Sequence, residues 1–197
     1  GNREGFFGQN DLIEFGYLNE TAVWGWTASG GDVYWTIDST FSFNSKHHAV
    51  FVGTGSNLMI YVDGELKSTG GSTTNSYNTS AFDFNIGGGG VWDASGNWFD
   101  GDIYEVAVWD TALSAAAIAA LYNGGAGLDA STNSGNYSSI ADLLAYWKFD
   151  EGSGSTLSDA SGNGNNGTIN GATWLTNTTS VNYTSGSGST TLTFDYT

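Results

Sequence analysis

Apolar residues along this chain fall in short runs that alternate with polar neighbours and are separated by glycine, serine, threonine and asparagine. Alternation at period two, carried by β-branched and aromatic residues, is the signature of half-buried strands. It predicts strands over residues 12–18, 22–27, 33–37, 48–52, 58–62, 81–86, 102–109, 144–149 and 191–196. Asp63-Gly64 separates Leu-Met-Ile-Tyr-Val from Glu-Leu-Lys, the signal of a two-residue hairpin turn. One helix is predicted over 115–122: Ser114 can cap it, alanine and leucine favour it, and Asn123-Gly124-Gly125 stop it. Many short strands with a single short helix predict an all-β, antiparallel two-sheet jelly-roll sandwich.

Composition narrows the class. The 197 residues include 30 glycines, and aromatics make up 15%, which excludes a disordered acidic chain. Twenty Asp and Glu against four Lys and Arg give a net charge of -16, which repels phosphate backbones and anionic lipid. Nucleic acid is therefore not an expected partner, and the longest apolar stretch, 115–122, is too short for membrane insertion. Cysteine is absent, so there is no disulfide framework and no thiolate chemistry. The chain opens on Gly-Asn without a signal-type segment, which reads as a processed product or a piece of a larger protein. Residues 1–126 form a strand-rich body, 127–140 read as a polar linker, and 141–197 form a further segment. The pentapeptide Asp-Ala-Ser-Gly-Asn occurs twice, at 93–97 and 159–163.

Three stretches carry a family resemblance. Lys46-His47-His48-Ala49-Val50-Phe51-Val52 followed by Leu58-Met59-Ile60-Tyr61-Val62-Asp63-Gly64 resembles the central hairpin of laminin-G-like, concanavalin A-like jelly rolls. Phe99-Asp100-Gly101-Asp102-Ile103-Tyr104-Glu105-Val106-Ala107-Val108-Trp109, with the helix that follows, is similar to that family's closing strand. Leu144-Ala145-Tyr146-Trp147-Lys148-Phe149-Asp150-Glu151-Gly152 and the loop after Asp159 resemble its opening strand. Here the opening stretch follows the closing one. Segment 141–197 is thus expected to complete the same sandwich, to complete a neighbouring copy, or to start a second domain. An unpaired sheet edge is costly, which favours completion, with 144–149 antiparallel to 103–109.

Two clusters carry candidate chemistry. Asp159, Ser161, Asn163 and Asn165 place oxygen-bearing side chains at alternate positions of a glycine-rich loop, as in hard-cation loops. The resemblance adds Asp102 to this set and implies a structural calcium; the competing reading is a loop of Asx-turns. Trp92 and Trp98 flank a glycine-rich loop with Asp93 and Asn97, a set of flat faces and hydrogen-bonding groups suited to a glycan. Trp24 and Trp26 share one strand face and read as core.

Catalytic motifs are absent. Asp100, Asp102 and Glu105 faintly resemble the carboxylate pair of related glucanases, but strict strand alternation would put Glu105 opposite Asp102. His47 and His48 read as structural. The expectation is a non-catalytic module for adhesion or glycan binding at a microbial surface or outside the cell, stabilised by calcium. Its partners would be a glycan or surface polymer, together with neighbouring copies or adjacent domains. The alternatives are a filament or surface-layer subunit assembled by strand exchange, and a remote relative or accessory domain of a glycan hydrolase.

Overall fold

A computed structural model describes residues 3–72, 79–93 and 95–175, together with the backbone of 182–185 and 193–195. The chain begins with a meander: β1 (Arg3–Gln9), β2 (Ile13–Leu18), β3 (Ala22–Thr27) and β4 (Gly31–Thr36). Next come β5 (Ala49–Gly53), β6 (Leu58–Val62), β7 (Glu65–Gly70) and the short β8 (Phe84–Ile86). Two antiparallel sheets result, one in the order β4-β3-β2-β1-β8 and the other β5-β6-β7. Alternation sends Phe15, Val23 and Val33 of the first sheet, and Leu58, Ile60 and Val62 of the second, into one shared core. Phe15 stacks on Phe51 at 5.4 Å across the layers. Gly25 admits that second ring, since a Cβ there would lie 2.6 Å from Phe51. The fold is the expected jelly-roll type of β-sandwich.

The Asp63-Gly64 turn has positive φ at both residues, 53° and 79°, as the two-residue hairpin requires. Helix α1 (Ala115–Tyr122) is capped by Ser114, whose Oγ accepts the Ala117 N–H at 3.1 Å. It ends at Asn123 in the left-handed region.

β9 (Val106–Trp109) and β10 (Leu143–Trp147) pair antiparallel within the chain, Trp147 opposite Val106 and Tyr146 opposite Ala107. The expected neighbours are therefore neighbours, over a shorter span. Residues 99–105 form no ladder; Phe99 donates its backbone N–H to the Gly87 carbonyl at 3.1 Å, and side chains hold the rest. The Lys46 ammonium lies 3.9 Å from the Tyr104 ring centroid, and Glu105 accepts the Tyr146 hydroxyl at 2.7 Å. Strand β1 has no counterpart among the expected strands, because Gly5 and Gly8 dilute its alternation. Gly5 is dictated by Val91, which a Cβ would approach to 2.7 Å, and Gly8 by the Gly90 carbonyl, which lies closer to that position than any Cβ could tolerate.

The polar 127–140 stretch is pinned to the body by two buried residues, Ala130 and Tyr137. Tyr137 is fully buried, accepts the Trp109 indole N–H at 3.0 Å and donates to the Ala130 carbonyl at 2.7 Å. Beyond β10 come two small pairs, β11 (Thr156–Leu157) with β12 (Gly167–Thr168), and β13 (Asn182–Ser185) with β14 (Thr193–Asp195). Of the expected 191–196 strand, 193–195 form β14, and 191, 192 and 196 lie outside the described residues. Among the described residues, no helix is long and apolar enough to cross a membrane.

Candidate functional site

The loop after β8 is built to present one aromatic ring. Gly87, Gly88 and Gly89 all take positive φ, 79°, 110° and 72°, which only glycine adopts without strain. Trp98 lies over two of them: a Cβ on Gly88 would come within 2.9 Å of Trp98 Cε3, and one on Gly89 within 3.1 Å of Cζ3. The ring is 64% exposed. Its neighbours lock the loop. Asn97, at φ 51°, donates its side-chain amide to the Val91 carbonyl at 3.1 Å, while its carbonyl accepts the Gly5 N–H at 2.8 Å. Asp93, exposed, accepts a longer bond from the same amide at 3.4 Å. The Asn85 amide closes the other side, donating to the carbonyls of Asp83 and Gly89 at 3.0 Å each. A fixed, open indole with amide and carboxylate groups beside it can hold the apolar face of a sugar ring and its hydroxyls.

Trp92 does not share that surface. It stacks on Trp24 at 3.7 Å and 12°, and the Arg3 guanidinium covers it at 4.0 Å. Trp24, only 4% exposed, donates its indole N–H to Asp32 at 2.8 Å. Glu14 accepts the Trp92 backbone N–H at 2.7 Å; burial nevertheless raises its pKa above the usual carboxylate range, outweighing that bond and the one from Asp11. The column is structural, and the open ring of the pair is Trp98.

The loop from Asp159 to Asn165 clasps the edge of β10. Asp159 accepts backbone N–H groups from Tyr146, Ser161 and Asn165, each at 2.9 Å. The Asn163 and Asn165 amides donate to the Leu144 carbonyl at 3.0 and 2.9 Å, and the Ser161 hydroxyl reaches it at 3.2 Å. The two Asp-Ala-Ser-Gly-Asn copies share this device. Gly96 and Gly162 both have φ 88°, and in each copy the closing asparagine donates to backbone of an earlier segment. Asp102 lies on the exposed 99–105 segment. Among the described residues no three His, Asp or Glu side chains converge, and this loop itself brings one carboxylate, Asp159, together with Ser161, Asn163 and Asn165. The donor set fits a clasp better than a cation loop.

Desolvation raises the pKa of Asp159, but its three backbone donors outweigh that and leave it below the ordinary value. A carboxyl depressed on folding contributes stability above its unfolded pKa of about 3.9 and loses it as pH falls through the folded value. The melting midpoint is therefore expected to fall below about pH 4, less so in Asp159→Asn. Asp159→Ala is expected to cost about 1–3 kcal/mol in denaturant unfolding at pH 7, as backbone donors lose their acceptor.

The histidines brace the central hairpin. His47 Nδ1 meets Asp63 Oδ2 at 2.7 Å, and its ring stacks on Phe41 at 3.9 Å. Burial lowers the pKa of His48, with Asp63 opposing. A cavity of about 1300 Å³ lies between the sheets, and Asp100, Asp102 and Glu105 all border it. Strict alternation had placed Glu105 on the far face from Asp102; it fails because 99–105 is not a strand. Neither this cavity nor the Trp24–Trp92–Arg3 column is legible in residue spacing.

The comparisons agree with this architecture. A solved structure from Bacteroides ovatus ATCC 8483, a candidate carbohydrate-binding protein by its description, matches with a TM-score of 0.66 at 17% identity. The match covers 86% of this chain and 50% of that one, so this chain spans about half the length of that protein. At such identity the likeness is one of fold. No curated protein sequence matches the chain. The model of the laminin-G-type family described as the concanavalin A-like lectin/glucanases superfamily matches residues 2–119, more than half of the chain. The chain therefore belongs to the concanavalin A-like lectin/glucanases superfamily.

Proposed function

We propose that the protein is a non-catalytic module that binds a neutral glycan, with Trp98 as the principal contact and Asn85, Asp93 and Asn97 around it. The observation that carries this reading is the exposed Trp98 ring packed over the backbone of Gly88 and Gly89. A site held rigidly before binding avoids ordering costs when the ligand arrives. The acidic balance disfavours sulfated or uronic polymers, since like charges repel. The same balance is in keeping with placement outside the cell or on its surface. Binding is tested by titrating neutral polysaccharides against the wild type and Trp98→Ala.

The hydrolase reading is weaker. Retaining hydrolysis needs an acid and a nucleophile held about 5–5.5 Å apart on one face. Here Glu105 already receives the Tyr146 hydroxyl, and 99–105 lacks the strand pairing that would fix its carboxylates. Reducing-end assays on β-glucans are expected to show no release. Activity that vanished in Glu105→Gln would replace the binding reading with a catalytic one.

Calcium has no part in this reading, because three backbone donors already compensate the Asp159 charge. A bound ion raises the melting temperature by stabilising only the folded state. Melts in millimolar calcium and in EDTA are accordingly expected to share one midpoint, and a calcium-dependent rise would restore the ion.

A further inference from the structure

The outer face of the five-stranded sheet carries a second open ring. Gly5 of β1, Gly16 of β2, Trp24 of β3 and Tyr34 of β4 are successive register partners, so their side-chain positions share one face. The core takes Phe15, Val23 and Val33 from the opposite face. The glycine-rich loop lies on the outer face as well, because a Cβ on Gly5 would meet Val91 and Gly88 at 2.7 and 3.1 Å. Trp98 in turn packs over Gly88. The loop covers the face as far as Trp24, on which Trp92 stacks. Beyond it the face is open: Tyr34 is 61% exposed, and Asp32 and Thr36 of the same strand are exposed beside it.

A groove adjoins that ring. Among the described residues β4 pairs only with β3 and β7 only with β6, and between these two edges lies a groove of about 330 Å³. Its lining is Asp32, Val33, Tyr34, Ser68, Thr69 and Gly70. The volume is that of a small-ligand pocket. Its chemistry is that of a sugar contact, with one flat ring, two hydroxyls and one carboxylate. The carboxylate is fixed in place, since Asp32 Oδ1 accepts the Trp24 indole N–H at 2.8 Å.

We infer that the glycan lies along this face from Trp98 to Tyr34, so that the ligand is an internal stretch of a linear neutral polysaccharide rather than a single terminal sugar. Three strand spacings, roughly 14 Å, separate β1 from β4, and Trp98 sits at the β1 end. A chain of several sugar rings spans that distance, and one ring does not. Tyr34 takes the apolar face of one unit, while Asp32, Ser68 and Thr69 hydrogen-bond its hydroxyls. A chain held at Trp98 reaches Tyr34 without a second association from solution, which raises its affinity over that of a short fragment. The inference rests on the glycan reading of Trp98 and adds the length and form of the ligand to it.

Calorimetric titration of the full chain tests it, using whichever of soluble β-glucan, xylan and mannan binds, together with the disaccharide and hexasaccharide of that polymer. The wild type is expected to bind the hexasaccharide at least about tenfold more tightly than the disaccharide. Tyr34→Ala is expected to lower the hexasaccharide affinity roughly fivefold or more, with the melting temperature unchanged because the ring is exposed. A hexasaccharide affinity that Trp98→Ala weakens and Tyr34→Ala leaves as it was would overturn the extension and leave the Trp98 site standing. Equal affinity of the wild type for the two oligosaccharides would do the same. Affinity untouched by either substitution, or no binding of any of the three polymers, would overturn both readings.

Discussion

Trp98→Ala is expected to weaken binding to a neutral polysaccharide at least tenfold while leaving the melting temperature within a few degrees of wild type. The first part follows from the exposed ring: a central tryptophan contact is worth about 2 kcal/mol or more, and 1.4 kcal/mol is a factor of ten. The second follows from its 64% exposure, since truncating a surface side chain disturbs little packing. Trp92→Ala should behave in the opposite way. Its ring stacks between Trp24 and Arg3, so truncation lowers stability first and affects binding only through the loop it supports. Calorimetric titration beside a thermal melt separates the two. Equal binding by wild type and Trp98→Ala would remove the platform from the account.

Deleting residues 141–197 is expected to leave an aggregating remnant. The deletion removes Leu143, Ala145, Tyr146, Trp147 and Leu157, all buried, and strips β9 of its only strand partner among the described residues. Losing one large buried side chain costs about 2–5 kcal/mol, whereas a whole domain is stable by about 5–15 kcal/mol. The exposed β9 edge then offers a template for pairing with other chains. A 1–126 fragment that stayed soluble and melted cooperatively would show that the sandwich stands without β10, and that 141–197 belongs to a separate unit.

How far the sequence reveals the molecule depends on the range of the forces involved. Local chemistry is legible: Asp63-Gly64 makes its hairpin, Ser114 and Asn123 bound the helix, and period-two alternation finds most strands. Signals fail where distant packing decides. Gly5 and Gly8 look like turn residues, but they lie in a strand that Val91 and the Gly90 carbonyl approach too closely for a side chain. The polar 127–140 stretch resembles a linker, yet the buried Tyr137 ties it to Trp109.

The candidate site divides in the same way. The loop carrying Trp98 is visible as a glycine run beside an aromatic. That Trp92 is covered and Trp98 open depends on Trp24 and Arg3, which spacing cannot bring to mind. Alternating oxygens from Asp159 to Asn165 suit a cation or a clasp equally well. Only the direction of their hydrogen bonds, toward the β10 backbone, separates the two.

The most direct test of the central claim is the indole N–H spectrum of the protein, which holds eight tryptophans, during titration with a neutral polysaccharide. Trp98→Phe assigns the relevant signal. The account predicts that this signal moves saturably with added glycan, while that of the buried Trp24 stays in place. Binding that leaves the Trp98 signal unmoved, or no saturable change with any neutral glycan, would contradict it.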